Sequence, residues 1–426
     1  MFKSSTATKI ASNTVYQLIA KVITMSVTML AVVIIARSYG REGYGAFSLM
    51  QTFSALFFVI IDFGINAIAA RELSKDWSKA NRYLGNILII RALFSIGLIF
   101  MLSVGLSFFP YSTSLKAGIR LGLFLLLTQS LITTTNIFFQ VKLKYDLSTI
   151  AHTLGYVFVL ASILTLSYLK VNVAWVNFSY VVGGTVTFLM AMFFVGKLGV
   201  KPDFTFDKEL WKYLFSASWP IGLMFCFSQV SFKQDSIMVS VLKVPQSYGL
   251  NNVQSVAVYA MAYKIFEVFL VVPTFFMNAA YPVLVRHMVE GKTKLKKTFS
   301  NMIIFLLFSG LLVGLLGIIF APIAINILGG QAFTQSVLTL RILASGLIVF
   351  YLTQPISWLI VTLGYQKRLP LIYFISAVFN FVTNLLWIPK YSFYAAAATT
   401  GLTELLILVL LIIIARKSWR DSYAKS

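Results

Sequence analysis

The chain has 426 residues, of which 59% are hydrophobic and 11% are charged, and its formal net charge is +22. A soluble domain carries about 25% charged residues, so this composition excludes an ordinary soluble protein and indicates an integral membrane protein. Apolar runs recur from residue 10 to residue 415, which leaves no stretch long enough for a separate soluble domain.

Twelve apolar segments have a length near or above the roughly 20 residues that a helix needs to cross a bilayer. The sequence therefore predicts an all-α, polytopic membrane protein. The predicted spans are 10–37, 44–70, 84–109, 117–141, 148–168, 173–196, 213–242, 255–284, 300–327, 335–361, 370–389 and 393–415. The start, "MFKSSTATKIASNTVYQ", lacks the pattern of a removable signal peptide. The single cysteine, Cys226, excludes an intrachain disulfide.

The basic residues are distributed very unevenly between alternate loops. One set of loops, together with both termini, holds 23 lysines and arginines, and the other set holds 7. By the positive-inside rule the richer set is cytoplasmic, so we expect both termini inside the cell. This asymmetry accounts for most of the net charge without a nucleic-acid partner, and the basic loops are expected to contact membrane lipid.

The chain divides into two similar halves. "SYGREGYGAFSLMQTF" follows the first span and "SYGLNNVQSVAVYAMAY" follows the seventh, each opening the next span. We therefore predict an N-terminal lobe of spans 1–6 (residues 1–196) and a C-terminal lobe of spans 7–12 (residues 197–426). Two six-helix lobes of this kind enclose a central cavity in transporters with parallel repeats.

Polar side chains form stripes along several spans. In the first span Asn13, Gln17 and Lys21 recur at helical spacing, and in the seventh Gln229 and Lys233 do the same. Gln129 and Asn136 lie along one face of the fourth span. We interpret these stripes as the polar lining of the cavity, with Lys21 surrounded by polar neighbours.

Charges within the spans are costly and need partners or a function. Lys264 and Glu267 are three residues apart and can pair along one helix face. Arg91 lies near the cytoplasmic end of its span, where its side chain can extend to the surface. Three carboxylates, Asp62, Asp235 and Glu404, have no cation within reach on their own helix. They can pair with a cation on another helix or bind a transported proton or sodium ion.

No loop exceeds about twenty residues, and no nucleotide-binding or metal-binding motif is evident, so we expect no cofactor, no metal site and no enzymatic activity. The acidic segment "KPDFTFDKEL" is the nearest approach to a catalytic cluster. Asp207 is better interpreted as the cap of the helix that leads into the seventh span, with Glu209 in its first turn.

The stretches "ARSYGREGYGAFSLMQTF" and "IIDFGINAIAARELSK" resemble the Wzx-type polysaccharide repeat-unit (O-antigen) flippases. These proteins belong to the multidrug/oligosaccharidyl-lipid/polysaccharide exporter superfamily. The resemblance extends over the whole chain in length, span number and two-lobed layout, and its residue-level signal lies mainly in 36–75.

The resemblance implies ion-coupled transfer of undecaprenyl-diphosphate-linked oligosaccharide, from the cytoplasmic to the periplasmic leaflet of a bacterial inner membrane, by alternating access. It also implies H⁺ or Na⁺ as coupling ion, contact with polysaccharide polymerase machinery and a monomeric working unit. The family has a cationic cavity, and residue type and depth assign its cations here to Lys21, Arg91, Lys233, Lys264 and Arg341. The candidates for ion coupling are Asp62, Asp235, Glu267 and Glu404.

Two other functions remain open from the residues. A cation-coupled drug or small-solute exporter of the same superfamily has the same layout, although we would expect an acidic cavity in an exporter of cationic drugs. A polytopic membrane glycosyltransferase or ligase would need larger loops than this chain has.

Overall fold

The computed structural model describes the backbone of residues 6–423 and the side chains of 15–219 and 221–422. This part of the chain is helical and contains no β-strand. Its α-helices, in chain order, are α1 Thr6–Asp62, α2 Ile65–Lys75, α3 Ala80–Gly105, α4 Thr113–Gly122, α5 Phe124–Lys142, α6 Tyr145–Tyr168, α7 Val173–Lys197, α8 Lys208–Val241, α9 Asn252–Phe269, α10 Val271–Glu290, α11 Lys292–Gly329, α12 Gln335–Ser345, α13 Leu347–Thr362 and α14 Leu369–Tyr423.

Local backbone breaks explain how these helices correspond to the twelve predicted spans. Gly40 and Ser392 have non-helical backbone angles and divide α1 and α14, so each of these long helices contains two spans. Three other spans are each made of two consecutive helices, which meet at Leu123, Leu270 and Gly346. Every predicted span therefore has a helical counterpart.

Nine helical segments in the described part of the chain are long and apolar enough to cross a membrane. Two of them contain the breaks at Gly40 and Ser392, and each of these supplies two spans. The 34-residue helix α8 adds another, since 1.5 Å per residue gives it about 50 Å of length. The prediction of a polytopic, all-α membrane protein with about twelve spans is confirmed.

The chain forms two compact units, an N-terminal unit (Met1–Cys226) and a C-terminal unit (Phe227–Ser426). This contact boundary lies within α8, later than the predicted division at 196/197. The reason is that Leu210 and Leu214, in the first turns of α8, are buried in one apolar cluster with side chains of α2, α3 and α7. Where the repeated halves of the sequence begin stays a prediction.

The two Ser-Tyr-Gly motifs have a common backbone feature. Gly40 has φ of 63° and Gly249 has φ of 62°, a conformation that side chains other than glycine rarely adopt. In the N-terminal unit, the Tyr39 hydroxyl donates to the carbonyl of Val171 at 2.6 Å and ties the break to the turn before α7. In both motifs, therefore, glycine serves the turn that precedes the next helix.

Small residues bring α6 and α7 into close contact. A Cβ atom at Gly155 would lie 1.8 Å from Thr187 Oγ1 and 2.6 Å from the carbonyl oxygen of Gly183. Membrane helices lack a strong hydrophobic driving force for association, so close approach of this kind is a main source of their packing energy. This contact holds together the helices that surround a polar cavity described below.

Candidate functional site: buried charges and polar clusters of the two units

In the N-terminal unit, Arg91 of α3 is completely buried and forms an ion pair with Asp62 at 2.6 Å. The chain turns sharply after Asp62, because Phe63 and Gly64 both have positive φ, and α2 then places Asn66 beside the same guanidinium. The other terminal nitrogen of Arg91 donates to three oxygens of α5 at 2.9–3.0 Å: Ser130 O, Thr133 Oγ1 and Thr134 Oγ1.

This burial overturns the expectation that the Arg91 side chain extends to the cytoplasmic surface. The partner of Asp62 also differs from the lysines considered from the sequence. The two charges neutralise each other, Arg91 is enclosed and Asp62 is mostly buried, which favours a structural role over substrate binding by Arg91 or ion coupling by Asp62.

In the C-terminal unit, two lysines converge on one carboxylate. Lys233 of α8 donates to Glu267 Oε1 at 2.8 Å, and Lys264 of α9 donates to Glu267 Oε2 at 3.1 Å. All three side chains are partly exposed, by 23%, 32% and 34% for Lys233, Lys264 and Glu267. The ammonium of Lys233 also lies 5.3 Å from the ring centre of Tyr263. The predicted pairing of Lys264 with Glu267 is therefore present, and Lys233 joins it.

The carboxylate of Asp235 lies in a separate, fully buried cluster of the C-terminal unit. It accepts hydrogen bonds from Tyr259 Oη at 2.9 Å, Thr400 Oγ1 at 2.8 Å and Asn384 Nδ2 at 2.6 Å. Asn384 also donates to Asn380 Oδ1 at 3.0 Å. Lys233 and Asp235 thus have different partners, as their two-residue separation on a helix predicts.

The cluster around Asp235 has more acceptors than donors. The Thr400 hydroxyl has one proton but lies 2.8 Å from both Asp235 Oδ2 and the carbonyl of Ala396. Asn384 Oδ1 is buried and has no hydrogen-bond partner within the described residues. An excess of oxygen acceptors around one carboxylate is the arrangement that a proton or a hard cation satisfies.

Glu404 is a second buried carboxylate of the C-terminal unit. It lies on α14, one turn after Thr400, and accepts a 2.5 Å hydrogen bond from the Thr353 hydroxyl of α13. Its side chain is 6% exposed. No salt bridge to Glu404 is present in the described part of the chain, so it remains available for a proton.

A cavity of about 220 Å³ lies within the N-terminal unit, surrounded by α5, α6 and α7, and polar side chains project into it from among apolar ones; we call it the polar cavity. Gln129 and Asn136 both line this cavity, which lies inside one unit, so their predicted place in a central cavity between two lobes stays a prediction. Asn136 is held by Ser148, which donates to its Oδ1 at 2.8 Å, and its amide nitrogen lies 3.4 Å from His152 Nε2. Tyr156 and Tyr180 supply aromatic walls. The structure therefore brings these two predicted residues together within one unit.

The side chains of several other predicted site residues are exposed or partly exposed. Lys21 and Gln17 of α1 are exposed in the chain, which differs from the expectation that polar neighbours surround Lys21. Arg341 is also exposed, and its Nε donates to the carbonyl of Ile318 at 3.2 Å. Gln229 is partly exposed. The side chain of Asn13 lies outside the described residues.

Several residues of these clusters were not identified from the sequence. Asn380 and Asn384 are four apart in an apolar span, and Thr400 and Glu404 are four apart in the next, so helical spacing could have indicated both pairs. His152 has no sequence signal of this kind, because the other histidine of the chain, His287, is far away in sequence. Its neighbour proved to be Asn136, on the adjacent helix.

Comparisons with known proteins agree with this architecture. Residues 10–288 match the model of a family described as polysaccharide biosynthesis protein, and residues 220–386 match the MatE family model. The comparison with curated proteins gave no match.

Solved transporter structures have the same fold at low sequence identity. A multidrug resistance MATE family transporter of the MOP superfamily, in its inward-facing conformation, superposes with a TM-score of 0.75 at 14% identity, over 95% of this chain and 96% of that one. A MOP superfamily transporter from Pyrococcus furiosus gives 0.68 at 13% identity, over 97% and 96%. The lipid II flippase MurJ gives 0.69 at 13% identity, over 96% and 89%.

The family match covers well over half of the chain, and the fold is the one these solved transporter structures share. The resemblance to polysaccharide flippases of this superfamily is therefore confirmed. The chain belongs to the polysaccharide biosynthesis protein family and is an integral membrane protein with a MOP-superfamily transporter fold.

Proposed function

We propose that the protein is a flippase for undecaprenyl-diphosphate-linked oligosaccharide, a repeat unit of O-antigen or another surface polysaccharide. It moves the headgroup from the cytoplasmic to the periplasmic leaflet of a bacterial inner membrane by ion-coupled alternating access, with both termini in the cytoplasm. The family assignment supports a role in polysaccharide biosynthesis, and the fold supports transport rather than catalysis.

The observation that carries the proposal is the convergence of Lys233 and Lys264 in membrane-spanning helices. Both ammonium groups reach the same small volume, and both are partly exposed, so an incoming ligand can contact them. A lipid diphosphate is a multiply charged anion, and two ammonium groups bind such an anion through charge-assisted hydrogen bonds. Cationic drugs would be repelled by the same pair.

Asp235 is the best candidate for the coupling ion. Its cluster is fully buried, has unsatisfied acceptors and contains no basic side chain among its hydrogen-bond partners. A proton on the carboxylate would remove its charge and leave the Thr400 hydroxyl free to donate to the carbonyl of Ala396, whereas a sodium ion among the oxygens could bind Asn384 Oδ1 as well as Asp235. Binding of that ion would change the charge of the cluster, which is what coupling to an ion gradient requires.

The polar cavity of the N-terminal unit suits an uncharged polar group. Amide, hydroxyl and imidazole groups line it together with two tyrosine rings, a combination that hydrogen-bonds and stacks against sugars. A volume of about 220 Å³ is of the order of one sugar ring. Replacement of Gln129 or Asn136 by leucine is expected to reduce transport of the oligosaccharide-bearing lipid but not of a lipid with the diphosphate alone.

The direct test is reconstitution of the full chain in liposomes with fluorescently labelled undecaprenyl-diphosphate oligosaccharide. A membrane-impermeant quencher measures how fast the label changes leaflet under imposed H⁺ or Na⁺ gradients. We expect faster exchange than in empty liposomes, and faster still with the correct gradient. No acceleration under any gradient would eliminate the flippase function.

The same vesicles test the alternative of a multidrug exporter, which the fold of the MATE neighbours favours. Gradient-driven accumulation of a cationic dye, combined with no exchange of the lipid, would support the exporter.

A polymerase added to the vesicles tests the proposed contact with polymerisation machinery. Size-exclusion light scattering tests the monomeric state.

A further inference from the structure

Glu267 occupies the position that a substrate phosphate would need. Its two carboxylate oxygens each accept a hydrogen bond from a different lysine, Lys233 at 2.8 Å and Lys264 at 3.1 Å. The lysines come from different helices, α8 and α9, so the carboxylate links both helices as well as both charges. A phosphate likewise offers several oxygens on one atom to the same pair of donors.

We propose that Glu267 is an internal counter-ion that competes with the substrate, an inference that rests on the proposed flippase function. Without substrate it holds the two ammonium groups in place and neutralises one of their charges. The diphosphate displaces it, and Glu267 returns when the headgroup leaves.

Three observations support displacement over a permanent structural pair. First, Glu267 is 34% exposed, so its side chain can turn toward solvent when an anion takes its place. Second, the lysines are themselves 23% and 32% exposed and can be approached without unfolding of a helix. Third, the cation of the Arg91–Asp62 pair of the N-terminal unit is enclosed, with the Arg91 side chain 0% and the Asp62 side chain 17% exposed, so no ligand can reach this guanidinium as it can reach the two lysines.

Competition of this kind has two consequences for transport. Each substrate must replace hydrogen bonds that already exist, so binding is weaker than two free lysines would allow and release is correspondingly faster. The singly charged headgroups of abundant phospholipids gain little from displacing a carboxylate. The lysines therefore stay paired with Glu267 in a membrane rich in anionic lipid and are not occupied by phospholipid when a diphosphate arrives.

The first test compares diphosphate binding by Glu267→Gln and by the wild type, using the full chain in phosphatidylcholine nanodiscs and farnesyl diphosphate as the probe. Glutamine keeps the size and polarity of the side chain but removes the competing charge. We expect affinity to rise by at least about tenfold, which corresponds to the low end of the coupling energies measured for close charge pairs. Lys233→Ala should lower the affinity instead.

The chain contains a matched control for this substitution. Glu290 also bridges two basic residues, with Arg286 Nε 2.9 Å from Oε1 and Lys294 Nζ 3.0 Å from Oε2, but it is the last residue of α10. Glu290→Gln should leave the binding of farnesyl diphosphate unchanged. Glu267→Asp, which keeps the charge, should remain closer to the wild type than Glu267→Gln.

The second test measures exchange of the labelled oligosaccharide lipid. Glu267→Gln should be slower than the wild type at saturating substrate because release is impeded. The variant should slow further when phosphatidylglycerol is added to phosphatidylcholine vesicles, whereas the wild type should change little. A purely structural salt bridge would produce neither tighter binding nor this dependence on lipid.

The outcomes separate the two proposals. If the wild type binds the diphosphate through Lys233, and Glu267→Gln melts at the wild-type temperature but binds no more tightly, the counter-ion role is wrong and the flippase function stands. If neither the wild type nor Glu267→Gln binds farnesyl diphosphate, and neither moves the labelled lipid, the proposed substrate itself is wrong.

Discussion

The carboxylate of Asp235 accepts a 2.9 Å hydrogen bond from the hydroxyl of Tyr259, and both side chains are buried in the C-terminal unit, at 0% and 1% exposure. A buried carboxylate without a basic partner is costly in a membrane protein, and polar residues in such positions are commonly functional. Asp235 is therefore the first residue to test for ion coupling.

Asp235→Asn should uncouple transport from the ion gradient. Asparagine keeps the shape of the side chain but has no charge to be neutralised by a proton or sodium ion. We expect stimulation by the gradient to fall about tenfold, which is typical of the loss of one coupling interaction. Exchange of the labelled lipid, measured with and without an H⁺ or Na⁺ gradient, provides the readout.

Glu404→Gln is the informative comparison. Glu404 is also a buried carboxylate of the C-terminal unit, but it accepts its hydrogen bond from a different residue, Thr353 of α13. If Asp235 is the coupling residue, this variant should keep most of its response to the gradient. A full response in Asp235→Asn together with a lost response in Glu404→Gln would transfer the role to Glu404.

The Arg91–Asp62 pair should contribute mainly to stability. Arg91→Met leaves the Asp62 carboxylate without its cation, and breaking a buried pair in this way costs about 3–5 kcal/mol. The double variant with Asp62→Asn should regain much of that loss, since neither charge then remains. Thermal unfolding in detergent, followed by tryptophan fluorescence, measures the difference.

Arg341→Met provides the control for this prediction, because Arg341 is exposed and its Nε donates to a backbone carbonyl of α11. The melting temperature of this variant should be close to that of the wild type. Equal melting temperatures for Arg91→Met and Arg341→Met would refute the structural role of the buried pair.

The sequence predicts the spans well because each is defined by apolar length, a property that any bilayer-crossing helix must have. It also predicts the Lys264–Glu267 pair, because both residues lie on one helix at a fixed spacing. The positions of the helix breaks are harder to predict from the sequence. Phe63 and Ser392 adopt positive φ although neither is glycine, so their conformation is imposed by packing and not by local preference.

The sequence does not indicate which residues of different helices are in contact. Asp62 finds its cation 29 residues away on α3, and Asp235 finds Thr400 165 residues away. No periodicity relates such distant positions. Helical spacing shows that Lys233 and Asp235 point to different sides of α8. It does not identify the partner of Lys233, Glu267, because that contact depends on how α8 packs on α9.

The segment before α8 should be sensitive to acid through Asp207. Asp207 accepts a hydrogen bond from the backbone amide of Leu210 at 2.9 Å, as a helix cap does, and also pairs with Arg82. The amide, followed by Arg82, holds the pKa of Asp207 below its ordinary value of 3.8. The predicted capping role is thereby confirmed.

The sign of the effect follows from that lowered pKa. The charged carboxylate stabilises this segment at any pH above its ordinary value, and the contribution is lost as pH falls through the lowered pKa. The protection factor of the Leu210 backbone amide, which corrects for the pH dependence of intrinsic hydrogen exchange, should therefore fall on acidification in the wild type. In Asp207→Asn, protection should already be lower at neutral pH and change less with acid. Parallel profiles for the two proteins would contradict the role of the carboxylate.

Close packing of α6 on α7 should depend on the absence of a side chain at Gly155. In Gly155→Ala the new Cβ would lie 1.8 Å from Thr187 Oγ1 and 2.6 Å from the backbone oxygen of Gly183. The threonine can rotate, but the backbone oxygen cannot move unless the helices separate. We expect the free energy of unfolding to fall by about 1–3 kcal/mol, as for overpacked cores, and the melting temperature to be lower.

Gly97→Ala is the control, because a Cβ at Gly97 of α3 has no neighbour within 4 Å. Alanine favours a helix over glycine by up to about 1 kcal/mol, so this variant should melt at or above the wild-type temperature. Because Gly155 also lines the polar cavity, a more stable Gly155→Ala protein would mean that the cavity can rearrange and that α6 and α7 are not fixed by this contact.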